Sequence, residues 1–160
     1  MYSNDLICEI IKYIDKNINV KISIKDLENN FFYNRFYIMK LFKKELNVSI
    51  IDYINLMRIY KSILDIKNSN SSITRIALNN GFNSIEYFSE IFKKIVGIKA
   101  QMFKKYIKNE NYNITLEEIE KINNVISKLF IFNQEKEKYL KNIKPKNIKR
   151  KVLTIFKEKM

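Results

Sequence analysis

The sequence has no histidine and no tryptophan, and among its 160 residues only one cysteine, one proline and two glycines. Each shortage excludes a class of chemistry. Without imidazole there is no His-based acid–base pair, no Ser–His–Asp or Cys–His nucleophile, and no zinc site that needs a nitrogen ligand. Cys8 alone makes neither an internal disulfide nor a CxxC ligand pair. Two glycines are too few for a Walker loop or a GxGxxG fingerprint. No stretch approaches the ~18 consecutive apolar residues of a membrane span. Residues 1–6 show no basic segment leading into an apolar run, so no secretory signal is expected. Together these point to a reducing cytoplasm, and to a protein that is not an enzyme and takes no cofactor or metal.

What is present is apolar and basic. At 46% hydrophobic and 13% aromatic the chain can build a core, and 30 Lys+Arg against 17 Asp+Glu give a net charge of +13. That excess predicts attraction to a polyanion, nucleic acid foremost and a membrane surface second. It is spread along the chain: 17 basic and 10 acidic residues in 1–106, 13 and 7 in the shorter stretch 107–160. Lys, Asn and Ile are abundant and alanine is confined to Ala77 and Ala100, a composition that A·T-rich codons produce. The lysine excess alone therefore does not mark a binding face.

So little Gly and Pro argues for helices joined by polar turns. Helical periodicity supports this. Leu6, Ile7, Ile10, Ile11 and Ile14 share one face of a first helix. Ser23 with Asp26 opens a second that turns Ile24, Leu27 and Phe31 inward. Asn34 caps a third bearing Ile38, Leu41 and Phe42. A long fourth helix is expected from about Ile50 to Ile66 through Tyr53, Ile54, Met57, Lys61 and Leu64. Ser72 caps a fifth with Ile73, Ile76 and Ala77, and Ser84 a sixth with Phe88, Ile91, Phe92 and Ile95. A short seventh runs from about Gln101 to Tyr106.

Part of this pattern occurs twice. Ser23-Ile24-x-x-Leu27 returns as Ser72-Ile73-x-x-Ile76, and the segment from Tyr37 to Lys44 returns from Tyr87 to Lys94. The offset changes from 49 to 50 residues between the two pieces, so the second turn is one residue longer. Each copy, about 23–46 and 72–96, reads as a short helix, a tight turn and a longer helix with a basic end. That is a helix-turn-helix, whose second helix can enter a DNA major groove.

Residues 5–106 resemble the DNA-binding domain of AraC/XylS-type transcriptional regulators. The likeness is carried by Ile76-Ala77, Gly81-Phe82, Tyr87-Phe88-Ser89 and Phe92-Lys93-Lys94, with Met57-Arg58 matching the linker segment. It implies an all-α fold: two helix-turn-helix subdomains joined by the long fourth helix, with two recognition helices (about 34–46 and 84–96) set into successive major grooves. Departures from the family pattern are Glu90 where an arginine is usual, Ala100 where a proline is common, and Phe32 at the position of a turn glycine, where another backbone geometry is expected. Only four residues precede the first helix, which leaves no room there for the family's sugar-binding sensor domain.

The helical step assigns the DNA-facing side chains. On the third helix these are Phe36, Lys40 and Lys43, flanked by Arg35 and Met39. The lysines are placed to donate to guanine edges or phosphates, and Phe36 and Met39 to touch thymine methyls. On the sixth helix they are Glu86, Ser89, Glu90 and Lys93, flanked by Ile85. For Lys40 and Lys43 the plainer reading is a solvated face, and the repeat favours DNA contact. Residues 107–160 are expected to form a helical, basic C-terminal extension. A capping box at Thr115 and Glu118 should open a helix with Leu116, Ile119, Ile122, Ile126, Leu129 and Phe130 on one stripe. Lys144-Pro145 should end it before a last helix through Ile148, Val152, Ile155 and Phe156. Its stripes require a partner: the DNA-binding domain, a second tail or sequence outside this chain; RNA polymerase or a self-association partner is the contact it would offer. The functional expectation is a sequence-specific, double-stranded-DNA-binding transcription regulator on the bacterial nucleoid. The alternatives are a non-specific architectural binder, in which lysine carries affinity alone, and a protein-interaction module using the tail.

Overall fold

The structure, a computed structural model, describes residues 3–141. Among these are eight α-helices and no strand: α1 Ser3–Lys16, α2 Ile24–Phe31, α3 Arg35–Leu46, α4 Ile50–Asn68, α5 Ile73–Asn79, α6 Ile85–Val96, α7 Ala100–Ile107 and α8 Leu116–Leu140. The expected break at Pro145 and the helix through Ile148, Val152, Ile155 and Phe156 lie outside the described residues.

Polar side chains start most of these helices, each satisfying an amide that helix geometry leaves unpaired. Ser23 and Asp26 form a reciprocal capping box at α2, as Thr115 and Glu118 do at α8. Asn34, Ser49, Ser72 and Ser84 cap α3, α4, α5 and α6. Lys99 precedes α7 with no side-chain cap. The α2–α3 connection is residues 32–34 and the α5–α6 connection 80–84, so the second turn is two residues longer instead of the expected one, and α5, one residue shorter than α2, leaves the repeat offset changed by one.

The two turns solve the same corner differently. Gly81 sits at φ 85°, and a Cβ there would lie 2.5 Å from the Ile18 carbonyl oxygen and 2.9 Å from Arg58 Nε. Phe32 adopts the same left-handed region at φ 58°, so the other geometry expected at that turn does not occur. It is possible because the Phe32 side chain is 91% exposed and meets nothing that would force it back.

At the centre lies α4. Ile50, Tyr53, Ile54, Leu56, Met57, Ile59, Ile63 and Ile66 are all buried, covering most of the helix circumference. The single stripe through Lys61 and Leu64 is therefore corrected: both are only half-buried, and the helix is enclosed by subdomains on more than one side. α3 packs on one part of it and α5, α6 and α7 on others. Arg58 ties the halves together: Nε and a terminal nitrogen donate to the carbonyls of Ile18 and Val20 at 3.0 and 2.7 Å, and the guanidinium lies 5.9 Å from the Phe82 ring centre. Asn55 of α4 donates to the Tyr87 hydroxyl at 2.8 Å, and Asn80 to Asp65 at 2.7 Å.

α8 also departs from expectation. Its inward residues are Ile122, Val125, Leu129, Phe132 and Lys136, whereas Leu116 and Phe130 are exposed and Ile119 and Ile126 half-buried. Its seam is rotated relative to the expected stripe because a lysine, which apolar periodicity passes over, belongs to it. Within the described part of the tail, α8 packs on the DNA-binding domain itself, through α1 and α6.

Phe42 and Phe92 are fully buried, Phe42 edge-on to Tyr53 and Phe92 against Phe88 and Phe103. Truncating either to alanine should cost about 3–5 kcal/mol, read as a lower circular-dichroism melting midpoint. Phe32→Gly should move the other way. It removes left-handed strain at an exposed side chain and should gain up to about 1 kcal/mol, an increase that a denaturant melt will reveal.

Candidate nucleic-acid interface

α3 and α6 occupy equivalent places in the two repeats, each beginning at a capped turn and ending in two lysines, Lys43-Lys44 and Lys93-Lys94. Each buries one face. Ile38, Leu41, Phe42 and Leu46 anchor α3; Phe88, Phe92, Ile95 and Val96 anchor α6. The 3.6-residue repeat then carries the intervening residues outward.

On α3 this leaves Arg35, Phe36, Met39, Lys40 and Lys43 exposed together, Phe36 at 67%. The Arg35 guanidinium sits 5.2 Å from the Phe36 ring centre, a cation–π contact that holds both at the start of the helix. The Arg35 amide donates to Glu28 at 3.2 Å, and Lys43 Nζ to its own helix end at the Asn47 carbonyl, 3.3 Å. On α6 Glu86, Ser89, Glu90 and Lys93 are exposed, while Ile85 is half-buried against the core. Neither Glu86 nor Glu90 forms an ion pair among the described residues.

The charges of the two faces differ. α3 carries Arg35, Lys40, Lys43 and Lys44 against Glu45, a net of +3; α6 carries Lys93 and Lys94 against Glu86 and Glu90, a net of zero. Beside α6 runs an open groove of about 370 Å³, bordered by Thr74, Ser89, Glu90, Lys93, Lys99 and Gln101. The chemistry on offer is donation to anionic oxygens and base edges, with apolar contact from the first helix. Among the described residues no cluster of acidic or sulfur side chains could hold a metal ion, and no helix is long and apolar enough to cross a membrane.

A family model described as a helix-turn-helix domain matches residues 27–106, half of the chain. The transcriptional activator AarP of Providencia stuartii is 24% identical over 112 residues, which cover 70% of this chain and 82% of that protein. The TetD protein of transposon Tn10 from Escherichia coli is 25% identical, covering 65% and 75%. The chain belongs to the AraC-type helix-turn-helix family. Among solved structures it is similar to the C-terminal domain of AraT, a response regulator from Geobacillus stearothermophilus. The TM-score is 0.61 at 20% identity, covering 69% of this chain and 89% of that one, a likeness of fold.

As a family member the chain is a DNA-binding transcription regulator. The ten side chains expected to face DNA lie on α3 and α6, nine of them exposed and Ile85 half-buried. Sequence reasoning passed over others. Tyr37, exposed and stacked on Tyr33 at 5.4 Å, and Tyr87, held by Asn55, flank the two faces. Thr74, Lys99 and Gln101 reach the α6 groove from α5 and from the start of α7, a juxtaposition with no signal in local periodicity.

Lys40 is exposed, on the outer face of α3, and makes no hydrogen bond or ion pair among the described residues, so Lys40→Ala should leave the thermal melt unchanged and weaken duplex binding. If the ammonium meets phosphate, the slope of log K against log salt should fall by about 0.9. If it meets a guanine edge, discrimination at one base pair should drop by about 1–3 kcal/mol. Titrations at several salt concentrations distinguish the two.

Proposed function

We propose that this chain regulates transcription by binding double-stranded DNA sequence-specifically. α3 and α6 would occupy successive major grooves on one face of the duplex. The observation that carries this reading is the repeat itself: two helices in equivalent settings, each with a buried anchor face and an outward polar face. α4, at 19 residues and roughly 28 Å, is a spacer of suitable length, since successive groove entries lie about 34 Å apart and subdomain width supplies the rest.

The two heads would contribute unequally. Arg35, Lys40 and Lys43 would supply most phosphate and guanine contact, with Phe36 and Met39 against thymine methyls. Ile85, Glu86, Ser89, Glu90 and Lys93 would read the second site with little electrostatic support, a carboxylate being suited to accept from a cytosine amine. This puts the protein on the bacterial nucleoid in the cytoplasm, with no enzymatic step. Any contact of α8 with RNA polymerase or a second copy would use its outer face, where Phe130 and Ile131 are exposed, since its inner face already packs on the domain. A purely architectural binder is the weaker reading, because it gives no reason for two differently furnished faces.

Selection from a random duplex pool should return a bipartite motif; recovery of no motif would refute sequence-specific binding. Glu90→Arg should raise affinity for arbitrary duplex. If Glu90 accepts from a cytosine, the same change should also erase preference at one position of the selected motif. Unaltered affinity and preference would mean that α6 does not dock.

A further inference from the structure

α8 lies outside the family match at residues 27–106, yet at 25 residues it is the longest helix described. Its two ends rest on different subdomains. Near its start, Glu118 borders a small groove with Lys93 and Gly97 of the second unit and Met102 of α7. Near its end, Lys136 Nζ donates to Asp15 Oδ2 of α1 at 2.8 Å, and Tyr139 is hydrogen-bonded with Cys8 of α1. Between them Phe132 meets Tyr53 of α4 edge-on at 6.3 Å, and Lys136 Nζ lies 3.5 Å from Met57 Sδ. At ~1.5 Å per residue, Glu118 and Lys136 are about 27 Å apart, close to the length of α4. One rigid helix therefore touches the first subdomain, the linker and the second subdomain.

We propose that α8 braces the two reading heads, fixing their separation and angle, and that Lys136 is the positioning residue that sets its register; this rests on the reading that both α3 and α6 enter DNA. An apolar seam alone would cover the domain. A lysine 4% exposed adds a condition that packing does not impose. Only one docked register brings its ammonium onto Asp15, because a slip of one residue turns it by ~100° and leaves a charge in apolar surroundings. Without α8, the heads are related through α4, the side chain of Arg58 and the close approach of Gly81 to the Ile18 carbonyl. With it, a second line of contact joins them on another side, turning a single strut into a truss. The consequence is an operator whose two half-sites tolerate one spacing.

The test uses the full chain with spin labels on Lys44→Cys and Lys94→Cys, both exposed at the ends of α3 and α6, with single-label controls for the buried Cys8. Without DNA, the inter-label distance should be narrow in the otherwise native chain and broad in Lys136→Ala. On the selected bipartite duplex, Lys136→Ala should bind at least tenfold more weakly and lose its penalty for one inserted base pair, while binding to a duplex with only the first half-site is unchanged. If Lys136→Ala does not fold, Asp15→Asn, which preserves shape and removes the charge, is read in the same way. A folded variant with an unchanged distance distribution and spacing penalty overturns the brace, as does an equal loss on both duplexes. If the native chain binds one-site and two-site duplexes equally, the two-headed reading fails, and the DNA-free distances still decide the brace.

Discussion

Everything in this molecule depends on α4 having no solvent side to spare. A helix of this length would ordinarily keep a polar face, but here Ile50, Tyr53, Ile54, Asn55, Leu56 and Ile59 are buried at successive angles around the axis. Two small helical units, each too small to hold a sizeable core of its own, thereby share one. The sharing has a cost in polar groups, and most are met locally. Ser62 donates to the Arg58 carbonyl at 2.8 Å, while Asn55 and Asn80 cross between elements. The Tyr53 hydroxyl is buried without a hydrogen-bond partner among the described residues, a loss of the order of 1–3 kcal/mol that its ring contacts with Phe42 and Phe132 must offset.

Arg58 shows why sharing dictates the turn chemistry. Its guanidinium passes between the loop after α1 and the turn after α5, and the backbone at Gly81 comes close enough that no Cβ fits. Glycine there answers two demands, a left-handed φ and a close approach. At the equivalent corner of the first unit only the φ demand exists, since Phe32 stands clear of the domain. A non-glycine residue can carry that strain when its side chain is free, which is why the repeat keeps the corner and loses the residue.

The same contrast separates what was legible in the sequence from what was not. Caps and the anchors Phe42, Phe88 and Phe92 are local or periodic facts, and the structure places them as the spacing predicts. The outward positions of α3 and α6 followed because an anchored helix has only one face left. Periodicity fails where a helix is covered from several sides, hence the incomplete stripe drawn through Lys61 and Leu64. It fails again where a charged residue belongs to a seam: Lys136 reads as solvent-facing in any hydropathy pattern, and its partner Asp15 is 121 residues away. The groove beside α6 depends on Thr74, Ser89 and Gln101 converging from three helices, and no linear spacing encodes that.

Head asymmetry follows from where charge can be placed. Both α3 and α6 carry paired lysines in their last turns, where cations also suit the helix dipole. They differ at their beginnings. α3 opens with Arg35 stacked over Phe36, a cation and an apolar ring at the end that leads into a groove. α6 opens with Glu86, favourable to the dipole of its own helix and unfavourable to an approaching phosphate. Helix stability and polyanion binding would thus pull in opposite directions in the first turn, where α6 carries Glu86 and α3 carries Arg35 and no acidic residue. A duplex arriving under long-range attraction would meet the positive head first, and the neutral head would then be delivered by the geometry of α4. Discrimination at the second site would rest on fit and hydrogen bonding, since its net charge offers nothing to a wrong sequence.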